Sequence, residues 1–271
     1  MSIKRKILWS ILGIAILLAA AVYWVTRGDV ADYRVAQVTG SDPLLDEADA
    51  EMIPTVNIAE PIGWQADELP ATAEGLTVTR FAEGLDHPRV LHRMPNGDIL
   101  VTLTRSPAKE EEGGITAWIA DLLMSRAGAG GVSADALILL RDTNDDGIAD
   151  ARTTLRDDLS SPSGIAYHDG KLYVANHDAV LSFDYAVGAT TLTGPVKKLM
   201  DLPAAGNHWM RNLEIDPDGG KLYVAVGSDS NIGEKGMEAE QGRAAIHELD
   251  LTTGRSRIFA SGLRNPNGLD F

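Results

Sequence analysis

The chain has 271 residues, of which 44% are apolar, and it contains no cysteine. The apolar fraction is sufficient for a hydrophobic core and excludes disorder of the whole chain; the lack of cysteine excludes disulfides, thiolate nucleophiles, cysteine-ligated zinc and iron–sulfur clusters. Residues 1–28 hold four of the 24 basic residues and none of the 39 acidic ones, so the remainder has 20 basic and 39 acidic residues, a formal charge of −19. Such an acidic body repels nucleic acid and anionic lipid, so we expect no nucleic-acid partner.

The first predicted element is a helix at the N-terminus. The uncharged apolar run from Ile7 to Val25 has 19 residues, which span about 28 Å as a helix and so match the hydrocarbon core of a bilayer. Lys4–Lys6 precede the run, and Trp9 and Trp24 lie near its ends; this pattern predicts a bacterial inner-membrane anchor with the body in the periplasm. A signal peptide cleaved near Ala19–Ala21 is the alternative. The anchor is favoured because the apolar run continues past these alanines.

Three regions follow from the change in composition along the chain. Residues 1–27 are the anchor or signal sequence, residues 28–75 form an acidic linker with four prolines, and residues 76–271 carry short strand patterns separated by turn residues. The third region contains an insertion, residues 106–136, in which apolar residues around Trp118 lie at helical spacing. We predict a short helix there that packs on the strands; a lid or a membrane-docking element is the alternative.

A repeat of hairpin type occupies residues 84–102, 158–176 and 211–228. Each copy has an apolar segment, an Asn-Gly, Asp-Gly or Gly-Gly turn, and a β-rich strand, which together indicate a β-hairpin. The strand sequence Lys171–Val174 returns as Lys221–Val224, fifty residues later. Antiparallel strands that repeat with this period are typical of propeller blades, so the sequence predicts an all-β fold of the β-propeller type.

A second repeat, Leu-x-x-Pro, precedes predicted inner strands and begins at Leu85, Leu159 and Leu263. In a propeller these turns open on the same face near the central channel, so their side chains are expected to converge. The converging set comprises His87, Arg89, Ser160–Ser163, Arg264 and Asn265, together with His208 in the approach to the third inner strand. A histidine and an arginine there could act as general base and anion stabiliser, or each could simply bond loop carbonyls.

The segments DLPAAGNHWMRNLEIDPDGGKLYVAVGS, from Asp201, and SGLRNPNGLDF, from Ser261, resemble the quinoprotein sugar dehydrogenases, the family of the soluble glucose and sorbosone dehydrogenases. The resemblance covers residues 76–271 and implies a six-bladed β-propeller that uses pyrroloquinoline quinone (PQQ) and calcium. On that comparison the chain holds about three blades and the start of a fourth, so we expect it to be a fragment of a longer protein. We expect the calcium ligands mostly beyond residue 271 and assign no metal ligand within the chain.

The resemblance also implies roles for four residues. His208 matches the catalytic base, Arg264 the arginine that holds the quinone carbonyls, and Asn265 a cofactor-contacting asparagine; Asn267 stands where the glucose enzyme has glutamine. The implied reaction oxidises an aldose or a sugar aldehyde such as sorbosone by hydride transfer to PQQ, with electrons passed to a membrane acceptor. The second Leu-x-x-Pro turn, LSSPSGI, lacks the cofactor-binding glutamine of the glucose enzyme and is closer to the sorbosone type.

Other functions stay open at this point. A calcium-dependent sugar lactonase on the same architecture would need converging carboxylates, for which Glu214 and Asp216 are the nearby candidates. A non-catalytic surface-binding propeller would recognise its ligand without His208 or Arg264. A truncated, inactive member of the dehydrogenase family is a further alternative.

The segment DTNDDGIAD, from Asp142, has the spacing of an EF-hand calcium loop. Position twelve of that loop is Thr153, which offers no bidentate carboxylate, so a true EF-hand is excluded. We interpret the segment as an Asx-rich hairpin turn, with a weak calcium site as the alternative.

Overall fold

The computed structural model describes residues 2–27, 32–44, 58–66, 68–107, 114–204 and 206–271. The chain divides into two compact units, which are described separately. The first comprises residues 1–61 with 126–128, and the second comprises residues 62–125 with 129–271. All the described strands belong to the second unit.

The described residues form two α-helices, one short 3-10 helix and twelve β-strands. In chain order these are α1 (Ile3–Thr26), the 3-10 helix (Val35–Gln37), β1 (Pro88–Arg93), β2 (Ile99–Leu103), α2 (Ile115–Arg126), β3 (Ala136–Arg141), β4 (Ala151–Arg156), β5 (Gly164–His168), β6 (Lys171–Ala175), β7 (Ala179–Asp184), β8 (Thr193–Asp201), β9 (Arg211–Ile215), β10 (Lys221–Val226), β11 (Ala245–Asp250) and β12 (Ser256–Ser261).

Helix α1 forms because an uninterrupted run of Ile, Leu and Ala without proline favours the helix. Its stretch Ile3–Val25 is long and apolar enough to cross a membrane, and its most apolar part is entirely exposed. The predicted N-terminal apolar helix is therefore confirmed. A signal sequence has the same properties, so the choice between an anchor and a signal sequence stays a prediction.

The strands form three separate four-stranded antiparallel sheets. The strand orders are β1-β2-β3-β4, β5-β6-β7-β8 and β9-β10-β11-β12, so each strand pairs with the next one in the chain. The prediction of an all-β fold built from repeated antiparallel units is confirmed. Neighbouring sheets meet at their first strands, because β1 contacts β5 and β5 contacts β9. The first strand of each sheet is thus the inner strand.

The hairpins form at the turns that the sequence repeat predicts. In the second sheet His168 pairs with Lys171, and the two residues between them, Asp169 and Gly170, have φ values of 40° and 75°. Two positive φ values in a two-residue loop define the turn that matches the right-handed twist of the strands, which is why an Asp-Gly sequence works there. The corresponding hairpins β1–β2 and β9–β10 are also antiparallel.

The second sheet is buried on both faces. Leu172 and Val174 of β6 belong to the core shared with the first sheet, whereas Tyr173 and Ala175 belong to the core shared with the third sheet. Successive side chains of a strand point to opposite faces, so the apolar run of β6 fills two cores at once. This explains why the strand is apolar throughout rather than alternating.

Helix α2 lies in the predicted insertion but does not bury its apolar stripe. Trp118 is 63% exposed, Leu122 is 47% exposed, and Ile119 is also exposed. The expectation that these side chains pack on the strands is therefore wrong for the described residues. The helical spacing predicted the element correctly, but spacing does not reveal whether a partner surface lies opposite it.

Gly164, at the start of β5, lies directly against the inner strand β9. A Cβ atom there would lie 2.6 Å from Arg211 O and 2.9 Å from the Leu213 Cγ atom. We expect Gly164→Ala to force the strands apart and to lower the free energy of unfolding by about 1–3 kcal/mol, as other overpacking substitutions do. Denaturant unfolding of the full-length protein in detergent measures this change.

Gly220→Ala is the matched control, because a Cβ atom at Gly220 meets nothing nearer than Asp216 Oδ2 at 3.9 Å. Equal stabilities of the two variants would contradict close packing between β5 and β9.

Candidate active site

The inner strands bring segments that are distant in the sequence together. The guanidinium carbon of Arg89, in β1, lies 5.5 Å from the ring centroid of Trp209. Arg89 follows the first Leu-x-x-Pro turn, and Trp209 follows His208 directly. This contact therefore joins two of the segments that were predicted to converge.

The first two Leu-x-x-Pro turns also share a backbone conformation. His87 and Ser161 occupy the same place in the repeat and have positive φ values of 49° and 43°. In the first turn the Nδ1 atom of His87 lies 3.0 Å from Asp86 Oδ1, and Arg105 donates to the same oxygen at 3.0 Å. These hydrogen bonds, His87 first, lower the pKa of Asp86. The repeated sequence thus builds a repeated, locally strained turn.

His208 is held by Ser228 in a defined tautomer. Its Nδ1 atom lies 2.9 Å from Ser228 O and 3.0 Å from Ser228 Oγ. A carbonyl oxygen can only accept a hydrogen bond, so Nδ1 carries the hydrogen in this contact and Nε2 keeps its lone pair. The Ser228 hydroxyl donates to Ser230 O at 2.6 Å, which leaves its oxygen as a second acceptor. The contact therefore presents Nε2 as a base.

Arg264 is exposed and is held by the loop that follows β10. Its Nε atom donates to Asn231 O at 2.7 Å, and its Nη2 atom donates to Asn231 Oδ1 at 2.8 Å. The backbone oxygen of Arg264 accepts a hydrogen bond from Ser228 N at 2.7 Å. Side chain and backbone thus tie the third Leu-x-x-Pro turn to the segment that holds His208.

Gly227 lies directly against both His208 and Asn265. A Cβ atom there would lie 2.4 Å from His208 Cβ and 2.7 Å from Asn265 Oδ1, so a glycine is needed for both side chains to close in. His208, Arg264 and Asn265 are therefore grouped around residues 227 and 228. Asn267 is exposed and shows no side-chain hydrogen bond within the part of the chain that the structure describes.

Arg211 holds the backbone around His208 in place, and no sequence pattern singled it out. It is completely buried; its Nη1 atom donates to the carbonyl oxygens of His208 and Met210 at 2.9 and 3.0 Å, and its Nη2 atom donates to Pro203 O at 2.6 Å. Burial, with a smaller contribution from Arg243, lowers the pKa of Arg211 to about 10, so the group stays cationic at neutral pH. Its three acceptors fix the path of the chain on both sides of His208.

A second histidine, His177, is held in the same way and was also not predicted. Its Nδ1 atom lies 3.1 Å from Ser160 Oγ and 3.3 Å from Ser160 O. Its backbone N–H also donates to Ser160 O, at 3.1 Å. Two residues of the predicted set Ser160–Ser163 therefore form hydrogen bonds with other segments. Ser160 contacts His177, and the Ser163 hydroxyl accepts a hydrogen bond from Arg211 N at 2.7 Å.

Two carboxylates order the loop that holds Arg264. Glu240 accepts hydrogen bonds from the backbone of Asp229 and Ser230 at 2.7 and 2.9 Å, and one from the Ser230 hydroxyl. Glu234 accepts from the N–H groups of Asn231 and Ile232 at 3.1 and 2.8 Å. Backbone hydrogen bonds, that from Ile232 first, lower the pKa of Glu234 to about 2. The loop conformation thus depends on ionised carboxylates.

The Asp142 segment has the geometry of an Asx-rich turn. Asp142 oxygens accept hydrogen bonds from the backbone N–H groups of Asn144, Asp146 and Gly147 at 3.2, 3.3 and 2.8 Å. Burial raises the pKa of Asp142, but these backbone hydrogen bonds outweigh it and the pKa is lowered. The carboxylate is directed to its own turn, as the preferred interpretation of the sequence predicts.

No group of three or more histidine, aspartate or glutamate side chains that could hold a metal ion is found among the described residues. Asp216 accepts a hydrogen bond from Lys221 N at 2.9 Å and so serves the β9–β10 turn. Burial raises the pKa of Glu214.

A cleft of about 540 Å³ is lined by Phe81 and Ile148 among others. None of the predicted site residues, which are His208, Arg264, Asn265 and Asn267, lines this cleft.

The polar groups around Gly227 fit the quinone implied by the sequence resemblance. PQQ offers carboxylates and carbonyls, which are hydrogen-bond acceptors, and Arg264 and Asn265 are exposed donors on one turn. Arg264 is cationic and uses two of its nitrogens on Asn231, so its Nη1 atom is available. The side chains of the described residues do not supply a comparable set for calcium.

Similar proteins share this fold. The chain aligns with the holo PQQ domain of pyranose dehydrogenase from Coprinopsis cinerea at a TM-score of 0.54 and 22% identity, over 72% of this chain and 43% of that one. It aligns with the iodide structure of a Trichoderma reesei enzyme of carbohydrate-active enzyme family AA12 at a TM-score of 0.54 and 18% identity, over 79% and 48% of the two chains. The chain thus spans less than half the length of each of these structures. An uncharacterised protein of Borreliella burgdorferi is 29% identical over 132 residues, 44% of this chain and 33% of its own.

The family model that matches this chain and the fold that the chain shares with these structures confirm the resemblance to the quinoprotein sugar dehydrogenases inferred from the sequence. More particularly, the TrAA12-like family model matches residues 70–271, about three quarters of the chain, and the chain belongs to this family.

Arg211 provides a test of how the site is supported. Arg211→Met removes the guanidinium donors to the carbonyls of Pro203, His208 and Met210, and we expect it to lower the free energy of unfolding by about 2–4 kcal/mol because three partly buried acceptors lose their charged partner. Chemical unfolding measures the change. Arg255→Met, at an exposed arginine of the β11–β12 turn, should stay within about 0.5 kcal/mol of the parent. An Arg211→Met protein as stable as this control would refute the supporting role.

Glu234 provides a test of the loop by pH. Its pKa is lowered from 4.5 to about 2, so its stabilising contribution is complete above pH 4.5 and is lost as the pH falls towards 2. We expect the amides of Asn231 and Ile232 to lose hydrogen-exchange protection over that interval, after correction for intrinsic rates. Glu234→Gln should lose this protection already at pH 7, whereas Glu238→Gln, at an exposed neighbour, should keep it. Protection that does not change with pH in the parent would contradict the assignment.

Proposed function

We propose that the chain is part of a PQQ-dependent sugar dehydrogenase. The observation that supports this most directly is the hydrogen bond from His208 Nδ1 to Ser228 O at 2.9 Å. It leaves Nε2 as a base beside an exposed arginine and asparagine. Membership of the TrAA12-like family and the fold shared with a pyranose dehydrogenase PQQ domain support the same assignment.

In the proposed reaction His208 Nε2 accepts the proton of the substrate hydroxyl at the carbon that is oxidised. Ser228 keeps the opposite nitrogen protonated, so the ring gains its second proton at Nε2 and becomes a cation that the Ser228 carbonyl and hydroxyl oxygens stabilise. Bound PQQ supplies the hydride acceptor. The proton and the hydride together account for the two hydrogens removed from the alcohol or the hydrated aldehyde.

Arg264 and Asn265 would hold the quinone. Asn231 fixes the Arg264 guanidinium through two hydrogen bonds. The remaining donors are therefore oriented before the ligand binds, and the free-energy cost of reorganising them is small. Asn265 presents its amide from the same turn, and Asn267 extends the set of donors two residues further on. The calcium ion of the family would bind through groups outside the set described above.

The remaining features of the proposal concern the whole protein. Three four-stranded sheets in a chain that covers 43% and 48% of two related structures support a ring of about six blades. Helix α1 would anchor the protein in the bacterial inner membrane with residues 76–271 as the periplasmic part of the propeller and residues 28–75 as a linker. Electrons would pass to a membrane acceptor. An aldose or a sugar aldehyde such as sorbosone is the proposed substrate.

The lactonase and the non-catalytic binding propeller have less support. The lactonase needs several converging carboxylates, and neither Glu214 nor Asp216 has a described neighbour that completes such a group. A binding propeller would not need a histidine held in one tautomer. The two alternatives also predict that the protein reduces no dye when it is supplied with PQQ and a sugar.

The test uses the full-length protein in detergent, loaded with PQQ and CaCl₂, and measures dye reduction with a panel of aldoses and sorbosone. His208→Ala should reduce kcat by about 10²–10⁴-fold, because a general base is lost, while quinone binding measured by absorbance persists. Arg264→Ala should weaken quinone binding itself, since it removes the cationic donor.

His168→Ala and Arg255→Ala are the matched controls, because His168 is the last residue of β5, at the opposite end of that strand from Gly164, and Arg255 lies in the β11–β12 turn. A folded protein that binds no quinone would refute the proposal and favour a binding propeller or a lactonase. Unchanged turnover in His208→Ala would refute the assignment of the base.

A further inference from the structure

We propose that Arg89 and Trp209 form the platform on which a neutral pyranose substrate lies beside His208. This inference rests on the proposed function and adds the residues that recognise the sugar. The sequence patterns placed Arg89 in the converging set but gave neither residue a role.

The first observation is the contact between the two side chains. The Arg89 guanidinium carbon lies 5.5 Å from the Trp209 ring centroid, a distance at which the cation is attracted to the ring. Arg89 is exposed and the indole is half-buried. The pair therefore combines an aromatic surface with a cation at a solvent-accessible place.

The second observation concerns the hydrogen-bond donors of the pair. Among the described residues, neither the Arg89 guanidinium nor the Trp209 indole N–H has a hydrogen-bond partner, although both groups are donors only. Two arginines of the segments around His208 are engaged by contrast: Arg211 bonds three carbonyl oxygens and Arg264 bonds Asn231. The free donors of Arg89 and Trp209 are thus available for a ligand rich in acceptors.

The third observation is position. Trp209 follows His208 directly in the chain, and Arg89 reaches it from the inner strand of the first sheet. The pair therefore joins the segment that carries the proposed base to the inner strand of the first sheet, whereas Arg264, which would hold the quinone, lies on the third Leu-x-x-Pro turn. A substrate must occupy the space between a base and a hydride acceptor.

A neutral pyranose fits these groups chemically. The C–H face of a sugar ring packs on an aromatic ring, and adjacent hydroxyl oxygens accept hydrogen bonds from the planar fork of a guanidinium. An overall charge of −19 outside residues 1–28 disfavours an anionic sugar acid at long range. The proposal therefore commits to uncharged pyranoses.

Sugar binding to the full-length protein without quinone is the direct test, measured by calorimetry in detergent with D-glucose, D-mannose and D-galactose. Arg89→Ala and Trp209→Ala should each weaken binding of the best sugar about tenfold or more, because hydrogen bonds and ring contact are lost. Trp209→Phe, which keeps an aromatic ring under Arg89 but removes the N–H, should fall between the parent and Trp209→Ala. Arg93→Ala and Trp64→Ala, at exposed residues elsewhere, should bind as the parent does.

The outcomes separate this inference from the proposed function. Unchanged sugar affinity in Arg89→Ala and Trp209→Phe would overturn the platform while quinone binding and dye reduction persist. A parent protein that binds none of the three sugars, or that binds D-glucuronate more tightly than D-glucose, would also overturn it. If the parent binds no quinone, the proposed function fails, and calorimetry on the same variants still decides whether Arg89 and Trp209 bind sugar. In the loaded enzyme we expect both variants to raise KM about tenfold with quinone binding unchanged.

Discussion

The site depends on one buried cation. The guanidinium of Arg211 bonds the carbonyl oxygens of Pro203, His208 and Met210 at the entry to an inner strand. Burying a charged group costs free energy unless its donors form hydrogen bonds. The three carbonyl oxygens are therefore held at positions where the guanidinium can donate to them. His208 lies within that span, and its ring then meets Ser228. A completely buried residue thus determines where the proposed base can be.

Local patterns were sufficient to predict the sheets. An Asp-Gly turn between apolar segments specifies a hairpin through the φ values it permits, and the recurrence of Lys171–Val174 as Lys221–Val224 marked two strands in equivalent places. The pairing of consecutive strands is a short-range event, which is why single-sequence patterns capture it. The apolar character of β6 likewise indicates that both faces of its sheet are buried in hydrophobic cores.

The site was predictable only in part, because its contacts are long-range. His208 and Arg264 were named from motifs, but their connection runs through Ser228 and Asn231, which have no distinctive sequence signal. Arg211 carries a charge and would ordinarily be assigned to the surface; only the proximity of three carbonyls makes its burial possible. The exposure of Trp118 on α2 was missed for the same reason, since periodicity describes one helix and not its neighbours.

The topology has a consequence for how the protein assembles. Each sheet consists of four consecutive strands, so its hydrogen bonds join strands that are neighbours in the sequence; the longest connection is that between β2 and β3, where Leu103 pairs with Ala136. Such local pairing closes short loops and favours rapid formation. A sheet can therefore complete its ladder as soon as its own residues, 88–156, 164–201 or 211–261, have emerged, before the next sheet exists. The contacts between sheets, namely the shared hydrophobic cores and the contact of inner strands that encloses Arg211, must wait for the following sheet. In a chain that emerges progressively, from a ribosome or from an export channel, the ladder of each sheet would thus form before the contacts that position the proposed base.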